Sequence, residues 1–151
     1  MNNEELKNFV AAHCPEAVAE ENTEWLNVVV PHDKVRDLLF TLRHDPNTEL
    51  DYLFCLSGVD WKTHFHVVYH LESKRHKHIV VVKAKVEDRN NPEVPTICDI
   101  WRTAEFHERE VFDLFGIRFT NHPDLRRLFL DDTWGFPLRK DYQDDVTIVS
   151  L

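Results

Sequence analysis

The strongest constraint on the fold is a pair of neighbouring apolar segments joined by a short polar turn. In residues 64–72, Phe65, Val67, Tyr69 and Leu71 share one side of an extended chain, while His64, His66, Val68, His70 and Glu72 share the other. Residues 77–86 follow the turn Ser73-Lys74-Arg75-His76, and their Ile79-Val80-Val81-Val82 run is apolar on both sides. A strand that is apolar on both faces belongs inside a sheet. The pair therefore predicts a hairpin whose second arm is interior.

Other segments supply what such a sheet needs. Trp25 to Val30 and Tyr52 to Val59 read as strands, the second of them buried. Glu4 to His13 places Leu6, Phe9, Val10 and His13 at helical spacing, and Pro15 limits it. Asp33 is a candidate cap for a helix running to about His44, with Val35, Leu38, Leu39 and Leu42 on one face. Asp45-Pro46-Asn47 ends that helix, because the residue before a proline avoids the α region. After a loop at Arg89-Asn90-Asn91-Pro92, Pro95-Thr96 predicts a short helix to about Trp101. A further helix spans Ala104 to Phe115 and stops at Gly116. With 151 residues there is room for one core. The expected architecture is α+β: a single domain with a mixed β-sheet of about four to five strands packed by helices over residues 1–121. Residues 122–151 form an extended C-terminal strap of that same domain.

Several classes of chemistry are excluded by residues that are missing. Three glycines, Gly58, Gly116 and Gly135, leave no phosphate-binding loop or dinucleotide fingerprint. Cys14, Cys55 and Cys98 are widely spaced and include no C-x-x-C, so the common zinc and iron–sulfur signatures are absent and each thiol reads as a small buried apolar group. The net charge is −9, and residues 1–60 hold 4 basic against 12 acidic side chains, a balance that repels nucleic acid and anionic lipid. No apolar run approaches the ~20 residues of a membrane span. The acidic N-terminus has no apolar region behind it, so no signal peptide is expected and the cytoplasm is the expected compartment.

The helix from Ala104 to Phe115 carries the most chemistry. Ala104, His107, Val111, Phe112, Leu114 and Phe115 fall on one arc, and Glu108 lies inside it. A carboxylate on a buried face must be paired, hydrogen-bonded or protonated. The nearest cations in sequence are Arg126 and Arg127, whose forked guanidinium groups suit a carboxylate and would clamp the following segment onto the helix. Phe106, Arg109, Glu110 and Asp113 occupy the opposite face. Glu105, Glu108, Glu110 and Asp113 lack the order and duplication of a di-iron motif. His64, His66 and His70, with His76 or His78 across the turn, could hold zinc, but a solvated sheet face explains them as simply. The residues taken alone describe a partner-binding domain.

The run Glu108-Arg109-Glu110-Val111-Phe112-Asp113-Leu114-Phe115-Gly116-Ile117-Arg118-Phe119, followed by His122-Pro123-Asp124-Leu125-Arg126-Arg127, closely resembles the signature of the respiratory complex I 30 kDa subunit family, known in bacteria as the C subunit of NADH–quinone oxidoreductase. Gly58-Val59-Asp60, Val68-Tyr69-His70-Leu71, Val94-Pro95-Thr96-Ile97 with Trp101, and Pro137-Leu138-Arg139-Lys140-Asp141-Tyr142 extend the resemblance over residues 50–142. Phe136 departs from it, standing where many members have histidine. The resemblance implies a peripheral-arm subunit with no catalytic, cofactor-binding or metal-binding residue of its own. Its partners in complex I would be the D subunit and the neighbouring, cluster-bearing B subunit. FMN and iron–sulfur clusters would sit in partner subunits, and the chain would touch the cytoplasmic side of the membrane only through the complex. Interface or structural roles then fall to Phe106, Glu108, Arg109, Glu110, Asp113, Gly116, His122, Pro123, Asp124, Arg126, Arg127, Arg139, Lys140 and Asp141. In the strap, Arg126, Arg127, Arg139 and Lys140 would seek partner carboxylates, with Phe129, Trp134 and Phe136 as apolar anchors. The end of the chain nine residues past Tyr142 implies neither a long C-terminal extension nor fusion to the D subunit. The same motif also occurs in the equivalent subunit of membrane-bound nickel–iron hydrogenases and related complexes.

Overall fold

The computed structural model describes residues 1–126 and 135–140. A helix, α1 (Asn3–His13), opens the chain, and the Asn2 side chain caps it by accepting from the Glu5 N–H at 2.8 Å. Next come β1 (Val18–Ala19), β2 (Leu26–Pro31) and α2 (Val35–His44), then three long strands: β3 (Tyr52–Asp60), β4 (Phe65–Ser73) and β5 (His78–Val86). Last are β6 (Glu93–Pro95), α3 (Ala104–Phe115) and β7 (Arg118–Thr120). The five-stranded sheet has the order β1-β2-β5-β4-β3, and β6 pairs with β7 in a small parallel sheet.

The doubly apolar segment is interior, as its pattern requires. β5 runs parallel to β2, with Leu26 opposite Val80, and antiparallel to β4, with Tyr69 opposite Val82. Phe65, Val67, Tyr69 and Leu71 are fully buried in one core with Leu6, Val10, Leu39, Val111 and Phe115 from the helices. Val68 and Val81 are buried on the other side of the sheet, outside that core. α3 rests on β3 so closely that a Cβ at Gly58 would come within 2.8 Å of the Phe115 ring. No helix among the described residues is long and apolar enough to cross a membrane.

Four local expectations fail, each for a physical reason. Residues 96–101 form a single turn, with the Ile97 carbonyl accepting from the N–H groups of both Ile100 and Trp101. Pro95 is paired in β6 and the Thr96 hydroxyl accepts from the Cys98 N–H, a local bond that competes with helix formation. Asp33 does not cap α2: Lys34 holds that position with no side-chain bond. β3 is an edge strand that buries Leu53, Leu56 and Asp60 but leaves Tyr52 exposed and its other positions half-buried, because no strand among the described residues lies beyond it. Asp113, expected on the outer face of its helix, is fully buried.

Candidate functional site

Two constellations flank α3, one at its middle and one at its end. At the middle, Glu108 has no exposed surface. It accepts from the Thr96 hydroxyl and from the Ile97 N–H at 2.9 Å, both on the turn after β6. Burial pushes its pKa up to about 7, against the pull of those two hydrogen bonds. The nearest imidazole is His122, with Nε2 3.8 Å from the carboxylate and neither side chain exposed. The His122 Nε2 faces the Glu105 carbonyl at 3.0 Å, and Nδ1 accepts from the Asp124 N–H at 3.0 Å, so the proton belongs on Nε2.

The expected clamp from Glu108 to Arg126 is not formed. Arg126 is exposed and donates to Asp124 at 3.1 Å, while a threonine hydroxyl and a backbone amide satisfy Glu108. Arg127 lies outside the described residues, as do Phe129, Trp134 and Asp141. On the rest of α3, Phe106 is 47% exposed, and Arg109 and Glu110 are half-buried. The Arg109 Nε is buried without a hydrogen-bond partner. Beside the Thr96 turn, Arg36 grips Asp99 with two bonds of 2.8 and 2.7 Å and also donates to the Thr96 carbonyl. A cleft of about 420 Å³ opens there, lined by Arg36, Cys98, Asp99, Asn121 and Pro123 among others.

At the end of α3, the described part of the strap folds onto its own domain. Gly116 turns the chain at φ 76°, a left-handed conformation suited to glycine. The Phe136 ring covers it, so a Cβ would meet that ring at 2.7 Å. The Leu138 N–H donates to the Leu114 carbonyl at 3.0 Å. Of Arg139 and Lys140, expected to reach for a partner's carboxylates, Arg139 turns inward, whereas Lys140 is exposed and engages the domain through its backbone N–H. The Arg139 guanidinium donates to the Arg89 carbonyl at 2.7 Å and lies over the Phe65 ring at 5.0 Å, and the Lys140 N–H donates to Asp60 at 2.8 Å.

Asp60 is the hub of this second constellation. Its carboxylate takes a forked pair from Arg89 at 2.5 and 3.0 Å, together with the N–H groups of Lys62 and Lys140. Burial alone would raise its pKa, but the Arg89 fork and the two amide bonds outweigh burial and hold it at about 2. Sequence reading missed this hub, since Asp60 and Arg89 stand far apart in the chain with no periodic relation. The available signals were a carboxylate ending an apolar strand and its place in the Gly58-Val59-Asp60 match.

The histidines do not converge. His64 and His66 lie ring to ring at 4.8 Å, with Trp61 Nε1 donating to His66 Nδ1. Burial, aided by His64 and Lys83, lowers the His66 pKa to about 4. His70 sits apart against Phe54, and His76 and His78 bond to the carbonyls of Pro46 and Thr48. Cys14 is buried, but Cys55 and Cys98 are only half so, and all three thiols are free.

Comparison with known proteins gives a consistent answer. The family described as respiratory-chain NADH dehydrogenase, 30 Kd subunit, matches residues 28–147. The C/D subunit of the NADH-quinone oxidoreductase from Phocaeicola vulgatus is 45% identical over 79% of this chain and 23% of its own length. The C subunit of the Chloroherpeton thalassium enzyme is 42% identical over 74% of this chain and 47% of its own length. The chain thus spans less than half of either relative. A chain in the solved structure of the membrane-bound sulfane sulfur reductase, an archaeal respiratory membrane complex, is 30% identical with a TM-score of 0.76, over 93% of this chain and 85% of that one.

Proposed function

This chain belongs to the 30 kDa subunit family of the respiratory-chain NADH dehydrogenase, and from that membership we propose that it is a non-catalytic peripheral-arm subunit of a proton-pumping NADH–quinone oxidoreductase. It holds the quinone-reducing module together by binding the D subunit, next to the B subunit, on the cytoplasmic side of the membrane. Electrons pass from NADH through FMN and iron–sulfur clusters in the neighbouring subunits to quinone. The observation that carries this reading is the Phocaeicola relative, whose name joins the C and D subunits in one protein. A partner held beside this domain in one polypeptide is the natural ally of its exposed surface. Phe106, nearly half exposed on α3 beside Arg109 and Glu110, suits that contact, because exposed aromatics flanked by charge are characteristic interface anchors.

A second reading, an equivalent subunit in a related membrane complex, is favoured by the likeness to the sulfane sulfur reductase chain. One experiment separates the two: affinity purification of the tagged chain from detergent-solubilised membranes, with its companions identified by mass spectrometry. NADH- and FMN-binding proteins together with the D subunit are the expected companions, and the chain alone is expected to oxidise no NADH. A nickel-site large subunit, or its counterpart in a ferredoxin-linked complex, without an NADH-binding partner selects the second reading. Recovery of the chain with no companion overturns both.

A further inference from the structure

Among the described residues, donor atoms of three different chemistries meet at one place. Cys98 Sγ, a Glu108 carboxylate oxygen and a ring nitrogen of His122 all lie within 4.8 Å of one another. Each comes from a different piece of the chain: the turn after β6, the middle of α3, and the loop after β7. The pairing of Pro95 with Thr120 fixes the two loops side by side, and α3 runs beneath them. We propose that these three side chains form a site for a zinc-class divalent cation, its fourth position turned to the cleft beside Arg36 and Asp99.

The donor set selects the metal. A thiolate and an imidazole with one carboxylate suit zinc or cobalt, whereas magnesium and calcium call for oxygen alone. Zinc bonds of about 2.0–2.3 Å place tetrahedral donors roughly 3.3–3.6 Å apart. The triangle must therefore contract by about an ångström, a movement within reach of side-chain rotation at Cys98 and His122. Access comes through the cleft, which Cys98 itself lines. The Arg36 charge beside the cleft is already answered by Asp99.

Binding has a definite proton account. The Cys98 thiol gives its proton to solvent as the sulfur–metal bond forms. The His122 proton moves from Nε2 to Nδ1, so the bonds to the Glu105 carbonyl and from the Asp124 N–H are exchanged for one bond to the metal. Glu108 gives to solvent the proton it carries in part at neutral pH and ligates as the carboxylate, through oxygen lone pairs not taken by Thr96 and Ile97.

Cobalt(II) titration of the reduced, chelator-treated full chain tests this directly. One equivalent is expected to produce tetrahedral d–d bands and a thiolate-to-cobalt charge-transfer band, both erased by zinc. Cys98→Ser is expected to abolish the charge-transfer band and weaken zinc binding at least ~10-fold in competition with a chromophoric chelator. His122→Ala, which removes a buried ring bonded to the Glu105 carbonyl and the Asp124 N–H, is expected to weaken binding similarly in a chain whose circular dichroism spectrum shows it folded. A variant carrying His64→Ala, His66→Ala and His70→Ala is expected to bind as the parent does. Absence of a charge-transfer band, its persistence in Cys98→Ser, or loss of binding in the triple-histidine variant each overturns the site.

Discussion

Asp60→Asn removes one negative charge from the point where the end of β3, the loop after β5 and the strap meet. The Asp60 side chain is 1% exposed and accepts four hydrogen bonds, two from Arg89 and one each from the amides of Lys62 and Lys140. Its pKa is lowered from 3.8 to about 2. At about 1.4 kcal/mol per unit, that displacement corresponds to roughly 2.5 kcal/mol of folding free energy at neutral pH. Arg89 is 21% exposed, so water screens part of the interaction, and about 2 kcal/mol is the expected loss. The sign with pH follows from the direction of the shift. Because the folded pKa lies below the unfolded one, the contribution is complete above about pH 5 and fades as pH falls through 3.8 towards 2. Urea denaturation of parent and Asp60→Asn from pH 7 down to pH 2.5 measures the gap between them. The two stability curves should stand apart by that same amount at pH 7 and converge in acid. A gap that is absent at pH 7, or that keeps its size down to pH 2.5, refutes the hub.

Glu108→Ala should cost about 3 kcal/mol, because it strands the Ile97 N–H and the Thr96 hydroxyl in the interior, and a thermal melt of the metal-free chain reads the loss. Glu108→Gln should recover most of it: the amide oxygen takes the Ile97 N–H, and the amide NH₂ can donate to Thr96. Arg139→Ala should destabilise the isolated chain by about 1–2 kcal/mol, since it removes a charged donor from the Arg89 carbonyl and a cation from the Phe65 face. Phe106→Ala should lower the melting temperature only slightly while clearly reducing the recovery of the D subunit in affinity purification; a large drop in melting temperature with recovery unchanged would show that the ring serves the domain's own fold.

Periodicity made the sheet and helices legible wherever an element was long enough to repeat it. The alternation at Phe65, Val67, Tyr69 and Leu71 and the unbroken run at Val80–Val82 placed β4 and β5 correctly, and Gly116 marked the end of α3. β1, β6 and β7 are too short to show a period, and Pro95 looked like a helix start because its strand pairing is made with Thr120, on the far side of α3. In the candidate sites, Glu108 was identifiable as a buried carboxylate from its place on the helical arc. Its partners were not, because a threonine hydroxyl and a backbone amide leave no charge signal, whereas nearby arginines do. Asp113 was misplaced for a related reason: the helical wheel counts one face as core, while α3 is covered on more than one side. Cys98 looked inert because its two companions arrive from later elements, one on α3 and one in the loop after β7.

The register of β2 against β5 has a consequence for how the molecule comes into being. Leu26 pairs with Val80 and Val30 with Ala84, so a strand made early in synthesis waits for a partner made much later. β3, β4 and β5 are joined by short turns and can assemble as soon as they emerge, at a small cost in chain entropy. Until that meander offers its free edge, Leu26, Val28 and Val30 have only the two-residue β1 beside them. The newborn chain is therefore most prone to aggregate while ribosomes are still completing β5, and shelter for its first third matters most in that interval.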